Sequence, residues 1–390
     1  MAAPSSSTPP LLVRRAHTTL PHPAQAVAAL AAELDAAASA VLLFCSGDYE
    51  LQALGSAIER TFSAPVAACT SAGQVGPSGF ERGGITAVSL SSADLRMRPH
   101  LLSPLALCQS QTASLAREQA ERAAASPGLR TFGVLLVDGL SLWEEYVASA
   151  LYEALGNVPI VGGSAAARPA SAAPPGGQPR PAVYHAGNFL EGAAVLALFE
   201  TQSLAFETFA TQHFEPSQRK LVITLADPDK RIVYELNGEP AARAYAKALG
   251  VTSRELEARH FACSPLLLDM GEQLLPRAIR SQNPDGSLNL AGAIEEGLVV
   301  SIASSPDPVG ALERALARVE RRVPEPEVLL VFDCVLRRIE LEARGLDRQV
   351  GQLMARKGAV GFNSYGEQVG PLHVNHTLTG VALGTQRGAS

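Results

Sequence analysis

Cysteine and tryptophan are scarce in this chain of 390 residues, which has five cysteines, one tryptophan and 5% aromatic residues. The cysteines are widely scattered and form no Cys-x-x-Cys pair; they are Cys45, Cys69, Cys108, Cys263 and Cys334. An odd number of dispersed cysteines argues against a disulfide framework and against a zinc cluster. We therefore expect reduced thiols.

Basic clusters and long apolar runs are also missing. The net charge is -6 with 32 Lys and Arg residues, and no basic run exceeds a pair such as Arg337-Arg338. This pattern predicts no nucleic-acid partner. No stretch approaches the roughly 20 apolar residues of a membrane helix, and Ser and Pro replace the apolar centre of a signal peptide at the N-terminus. We expect a cytoplasmic protein with no membrane partner.

What the sequence does contain is one pattern used three times. Apolar runs at 41–44, 134–137 and 328–331 each precede an amphipathic stretch and, about 30 residues on, a turn of small residues. The turns lie at 68–73, 161–166 and 360–367. Equivalent strand ends tend to lie on one side of a sheet, and small residues let a backbone approach a ligand. The pattern predicts that the three turns converge on one ligand cavity.

The predicted fold class is α/β, with two α/β domains built from repeated strand-helix-strand units with mixed sheets. Residues 1–37 are predicted to be a loose lead-in segment, up to about residue 24, followed by a first helix. The domains are predicted at 38–236 and 237–385, with an exposed Ala, Pro and Gly-rich loop at 164–181. Ser46 and Asp48 are candidate caps of a second helix, and helices are expected near 307–322 and 336–348.

Several segments resemble the FIST family. Four segments resemble the N-terminal FIST domain: Leu43 to Tyr49, Cys69 to Gln74, Phe132 to Ser141 and Val161 to Ala165. Three later segments resemble the C-terminal FIST domain: Asp333 to Arg338, Gly361 to Gln368 and His373 to Thr377. The resemblance runs in order from about residue 38 to residue 385. It assigns 38–236 to a FIST N-terminal sensory domain and 237–385 to a FIST C-terminal domain.

The resemblance implies an intracellular sensory module that binds a small ligand and acts through signalling proteins. Thr211 to Pro216 and the Asp333 to Arg338 string are similar to the stand-alone NosP branch, whose members bind haem, sense nitric oxide and regulate a histidine kinase. One departure is Ala166-Ala167-Arg168, where many family members carry an Asp-bearing turn. An amino acid anchored by that acidic group is not expected at this turn.

Haem requires an apolar slot, an axial side chain and often a cation near its propionates. His213 lies between Phe209 and Phe214, with Arg219 downstream, and is the first candidate for the axial metal ligand. His185 is the second candidate. The alternative is that His213 has a purely structural role, as a hydrogen-bonded histidine at a sheet edge.

Two alternatives stay open beside haem. The first is an amino acid or other small metabolite held at the turns by Ser71, Gly73, Gly163, Ser164, Arg337, Asn363, Tyr365 and Glu367. The second is a thiol-dependent enzyme using Cys334, which precedes a predicted helix whose N-terminus could lower the thiol pKa. The preferred prediction is a sensor without a catalytic step.

Overall fold

The computed structural model describes residues 9–167, 180–271 and 274–386. Three parts of the chain fold with the same order of elements: strand, helix, strand, helix, strand, a two-stranded hairpin and a final strand. The first repeat comprises β1 (Leu12–Thr18), α1 (Pro23–Glu33), β2 (Ala40–Ser46), α2 (Leu51–Thr61), β3 (Val66–Ser71), the hairpin β4 (Gln74–Gly76) and β5 (Gly79–Glu81), and β6 (Ile85–Ser91).

The second repeat follows the same order. It comprises β7 (Arg96–Leu102), α3 (Cys108–Ala125), β8 (Arg130–Asp138), α4 (Glu144–Leu155), β9 (Ile160–Ala165), the hairpin β10 (Val183–His185) and β11 (Asn188–Leu190), and β12 (Ala194–Thr201). A short 3-10 helix, Leu105–Leu107, precedes α3.

The third repeat is interrupted after its first strand, β13 (Leu204–Thr211). The interrupting segment, here called the inserted domain, contains β14 (Glu215–Asp227), β15 (Ile232–Leu236), β16 (Glu239–Pro240), α5 (Ala241–Leu249), α6 (Ala258–Cys263), β17 (Leu266–Asp269), β18 (Leu274–Arg277), β19 (Ile279–Gln282), β20 (Leu288–Leu290) and β21 (Val299–Ser304). Another 3-10 helix, Ser253–Glu255, lies between α5 and α6.

The repeat resumes after the inserted domain. It continues with α7 (Pro308–Arg322), β22 (Val328–Cys334), α8 (Val335–Ala343), α9 (Asp347–Arg356), β23 (Ala359–Ser364), the hairpin β24 (Glu367–Val369) and β25 (Leu372–Val374), and β26 (Leu378–Thr385). Two helices rather than one therefore connect β22 to β23.

Each repeat builds a six-stranded mixed sheet, but the hairpins are exchanged between repeats. The strand orders are β1-β6-β2-β3-β10-β11, β7-β12-β8-β9-β24-β25 and β13-β26-β22-β23-β4-β5. The pairs β2/β3, β8/β9 and β22/β23 are parallel. Each sheet thus ends in a hairpin from another repeat, so segments on both sides of residue 236 share sheets.

The three sheets enclose one apolar core and carry helices outside. In β2, Leu42 and Phe44 face this core, whereas Val41 and Leu43 pack beneath α1 and α2. Phe44 stacks on Phe362 of the third sheet with ring centroids 4.9 Å apart. Because these strands are buried on both faces, their sequences are continuous apolar runs.

The inserted domain forms its own sheet and core and docks on the second repeat. Its strand order is β18-β17-β21-β14-β15-β20-β19, with β16 beside β15. Arg231 reaches α4, where its guanidinium pairs with Glu144 at 3.1 Å and with Glu145. Both Arg231 and Glu144 are buried, so this contact fixes the inserted domain against the body of three repeats.

The α/β class, the repeated strand-helix-strand units and the mixed sheets are confirmed. The prediction of a loose lead-in is wrong for Leu12–Thr18, because β1 pairs along its whole length with β6, and residues 1–8 lie outside the described residues. The second helix is capped by Glu50, whose side chain accepts hydrogen bonds from two backbone N–H groups, and not by Ser46 or Asp48. The helix predicted at 336–348 ends at Ala343, before Gly345 with its positive φ of 67°. The loop predicted at 164–181 lies mostly outside the described residues.

Candidate functional site

The three turns of small residues meet at one end of the body. Ala72 N donates to Asn363 O at 3.1 Å, Tyr365 N to Ser164 O at 3.1 Å, and Ala166 N to Thr70 O at 3.0 Å. These hydrogen bonds form a ring, since the first turn donates to the third, the third to the second and the second to the first. The three turns therefore meet, as the sequence pattern predicts. The predicted common cavity is found only in part, because the cavity beside the ring is lined by the first and third turns and by none of the described residues of the second.

The ring also uses backbone groups that were expected to contact a ligand. Asn363 N donates to Gly73 O and Ser164 N to Gly366 O, both at 2.7 Å. Backbone donors that are paired inside the protein offer little to a ligand. The small residues of these turns serve close packing of one turn on the next.

The predicted glycines and serines are mostly in the interior. A Cβ on Gly163 would lie 2.9 Å from the Phe362 ring, and one on Gly73 would lie 2.7 Å from Asn363 Oδ1. The Ser71 and Ser164 hydroxyls accept hydrogen bonds of 2.8 Å from Gln74 and Gln368. These four positions are explained by packing and by internal hydrogen bonds.

A cavity of about 290 Å³ opens beside the ring, between the turns and α8. Ala72 of the first turn and Asn363 and Tyr365 of the third line one side. The other side consists of Arg82 and of the α8 residues Val335, Arg338, Ile339 and Glu342. This cavity is the candidate ligand site.

Charged groups at the cavity are held in fixed positions. The Arg338 guanidinium donates to Asn363 Oδ1 at 3.0 Å and to Glu342 Oε1 at 2.8 Å, and lies over the Phe80 ring. Arg82 pairs with the same Glu342 oxygen at 2.5 Å. Burial alone would raise the pKa of Glu342, but the hydrogen bonds from Arg82 and Arg338 outweigh this effect. The pKa of Glu342 therefore lies below its usual value. The cavity therefore presents two cations and one carboxylate.

Arg337, the neighbour of Arg338, faces a different environment. Its Nε donates to Asp333 Oδ1 and a terminal nitrogen to His213 Nδ1, both at 2.7 Å. Because Nδ1 accepts, Nε2 carries the proton and donates to Glu340 Oε2 at 2.7 Å. Burial is the main cause that lowers the pKa of His213, which is consistent with a neutral imidazole.

The residues predicted to hold haem do not fit that group as they are arranged. Both ring nitrogens of the buried His213 have partners. His185 lies half-buried at the turn of the hairpin β10–β11, and Arg219 is exposed, donating to the Ala248 carbonyl. An apolar cleft of about 710 Å³ adjoins Gln212, but none of its described lining residues is His, Cys or Tyr. No three His, Cys, Asp or Glu side chains of the described residues form a potential metal site.

Glu367 and Cys334 are fully buried beneath the turns. Burial raises the pKa of Glu367 to about 8, although hydrogen bonds from Ser364 and Thr377 act to lower it. Burial also raises the pKa of the Cys334 thiol, as it does for Cys69. A reactive cysteine requires the opposite shift, so neither thiol has the environment of an activated nucleophile.

Of the predicted ligand residues, Asn363 and Tyr365 line the cavity. Arg337 and Glu367 do not line it. Sequence reasoning missed Arg82, Arg338, Ile339 and Glu342. The spacing of Arg338 and Glu342, four apart in a predicted helix, indicates a helical ion pair and could have drawn attention to that face.

Comparison with known families agrees with this architecture. The FIST N domain matches residues 39–239, and the FIST C domain matches residues 241–370. The chain belongs to the FIST family. FIST domains are small-ligand sensing domains of signalling proteins. No protein of curated function matches the sequence.

The two FIST segments are joined by hairpin exchange, because β24 of the FIST C match pairs with β9 of the FIST N match. Among the described residues, no helix is long and apolar enough to cross a membrane.

Proposed function

We propose that this FIST protein senses a small metabolite that binds in the cavity between α8 and the turn ring. The observation that carries the proposal is the cluster of Arg82, Arg338 and Glu342 in the lining of a cavity that also presents Val335 and Ile339. Binding sites for small molecules combine an apolar lining with a few fixed polar groups in this way. The volume of about 290 Å³ suits a small metabolite.

The ligand class follows from the charges. Arg82 and Arg338 offer donors to a carboxylate, and Glu342 accepts from an ammonium group. A free amino acid with an aliphatic side chain carries both of these charges, and its side chain would fill the space beside Val335 and Ile339.

Signal output would pass through α8. One side of this helix lines the cavity with Arg338 and Ile339, and another holds His213 through Arg337 and Glu340. His213 belongs to the stem, residues 211–215, which connects the body to the inserted domain, and α6 packs against α8. A ligand that binds one position of α8 more tightly would shift the arrangement of the inserted domain, which a signalling partner can read. A histidine kinase is the partner that the resemblance implies.

A binding screen tests this proposal. The full chain is titrated by calorimetry with the standard amino acids and with short carboxylic acids. Ile339→Trp fills the cavity from a half-buried position, and Leu336→Trp adds the same ring on α8 outside the cavity lining. We expect at least one amino acid to bind, with affinity lost in the first variant and kept in the second. A screen without binding, or equal loss in both variants, would contradict the site.

Haem and nitric oxide sensing stays a prediction of the resemblance, and the pairing of His213 does not support it. The visible spectrum of haem-reconstituted, reduced protein decides the question. A Soret band that moves with nitric oxide and disappears in His213→Ala would establish haem ligation. A flat visible spectrum after desalting would exclude haem binding and would not affect the metabolite proposal.

A further inference from the structure

The apolar cleft of about 710 Å³ lies where the inserted domain meets the body. Three segments far apart in sequence form its sides: the end of β13 at Ala210 to Gln212, the start of β18 at Leu274 and Leu275, and the hairpin β24–β25. It shares no lining residue with the cavity at the turn ring. It is therefore a separate concavity.

The lining has an unusual composition for the surface of a charged protein. Its apolar part consists of Ala210, Leu274, Leu275, Val369, Pro371, Leu372 and Val374. None of its eleven described lining residues is ionisable. Burying an unpaired charge against such a lining is strongly unfavourable, so a charged molecule would be rejected.

A few polar groups are placed at the cleft. Gln212 accepts a hydrogen bond from the Phe214 backbone through its carbonyl oxygen, which leaves its amide NH2 as a donor. Thr211 and Thr377 add hydroxyl groups, and Thr377 donates to the buried Glu367 at 2.6 Å. An apolar concavity with a few polar groups and a volume within roughly 300–1,000 Å³ is typical of a small-molecule site.

We propose that this cleft is a second binding site, which takes an uncharged, predominantly apolar small molecule with one hydrogen-bond acceptor. The occupant would contact Leu274 and Leu275 on the inserted domain and Val369 and Leu372 on the body. The contacts from Arg231 to Glu144 and from His213 to Glu340 are polar. The occupant adds an apolar contact, so it stabilises the docked arrangement of the inserted domain.

Binding is tested on the full chain with Nile red, an uncharged apolar dye whose fluorescence rises in apolar surroundings. We expect saturable binding of one dye per chain. Leu372→Lys places a charge in the cleft, and Leu372 belongs to none of the hydrophobic clusters formed by the described residues. This variant should bind the dye at least tenfold more weakly.

The matched control is Leu225→Lys, at a 45% exposed leucine of the inserted domain outside the cleft, which should bind as the wild type does. If Leu372→Lys fails to fold, Ala210→Trp fills the cleft from an exposed position and should also abolish binding. Absence of saturable binding to the wild type, or unchanged binding in a folded cleft variant, overturns the proposal. A wild-type dimer that Leu372→Lys converts to a monomer would also overturn it, by assigning the cleft to a second copy of the chain.

Discussion

Loss of Arg337 should destabilise the protein strongly, because it would leave a buried carboxylate without its partner. Asp333 is fully buried; its Oδ1 accepts from Arg337, and Oδ2 has no hydrogen-bond partner. Removing one member of a buried ion pair costs about 3–5 kcal/mol. We therefore expect Arg337→Met to lower the free energy of unfolding by about 3–5 kcal/mol. Asp333→Leu should lower it by a similar amount, because it leaves the buried Arg337 guanidinium without its carboxylate.

The double variant Asp333→Leu/Arg337→Met distinguishes the ion pair from simple loss of packing. It removes both charges together and leaves His213 Nδ1 without its donor, a loss of about 1–3 kcal/mol. Its destabilisation should therefore be several kcal/mol smaller than the sum of the single variants, a coupling that a double-mutant cycle measures. Urea denaturation followed by circular dichroism gives the four values, with the m value checked for constancy.

Arg314→Met is the matched control for this cycle. Arg314 of α7 pairs at 3.1 Å with Asp307, the residue before this helix, and the two side chains are 64% and 54% exposed. Exposed pairs contribute little, so the change should stay within about 0.5 kcal/mol. If Arg337→Met changed the free energy of unfolding by less than about 1 kcal/mol, or if the single variants added without coupling, the role of the buried network would be refuted.

Three further predictions concern buried groups. The pKa of Glu367 is raised to about 8, so the folded protein holds a proton there that the unfolded chain releases above pH ~4.5. The stability of the wild type should therefore fall relative to that of Glu367→Gln as the pH rises from 5 to 8. Equal pH profiles of the two proteins would count against a neutral Glu367. Burial lowers the pKa of His373 to about 4, so the unfolded chain takes up a proton first as the pH falls below ~6.5. Stability should then fall by about 1.4 kcal/mol per pH unit from this residue, and His373→Gln should reduce the slope measured between pH 6 and pH 4.5. Gly361→Ala would place a Cβ 1.7 Å from the backbone oxygen of Val331 and should lower stability by about 1–3 kcal/mol in urea denaturation, and an unchanged free energy of unfolding would contradict this packing.

The repeated core strands and their convergent turns could be predicted from the sequence, because strands buried on both faces give apolar runs such as those at 41–44 and 328–331. The half-exposed strand β1 gives no such run, so its sequence predicts a loose segment instead of a strand. The exchange of hairpins could not be predicted. Three-residue strands such as β4 and β24 carry too little periodicity to indicate a partner, and the partner is selected by tertiary packing.

The candidate site was predicted only in part, for a similar reason. Arg337 and Arg338 are adjacent in sequence, but neighbouring residues of a helix point about 100° apart. Arg337 turns to Asp333 and His213, whereas Arg338 turns to Asn363 and the cavity. Sequence alone did not reveal which arginine faces the turns. The position of the inserted domain against α8 likewise depends on contacts between residues more than 120 apart, such as His213 and Glu340.

The most direct test of the ligand site is hydrogen exchange measured by mass spectrometry on the full chain, with and without the tightest-binding amino acid of the screen. The account predicts slower exchange in peptides that cover α8 at 335–343 and the turn at 363–366, with a smaller change in the stem at 211–215. The variant Ile339→Trp should show none of these changes. Slower exchange confined to other parts of the chain, with α8 and the turn unchanged, would contradict the proposal that the cavity beside the turn ring is the sensing site.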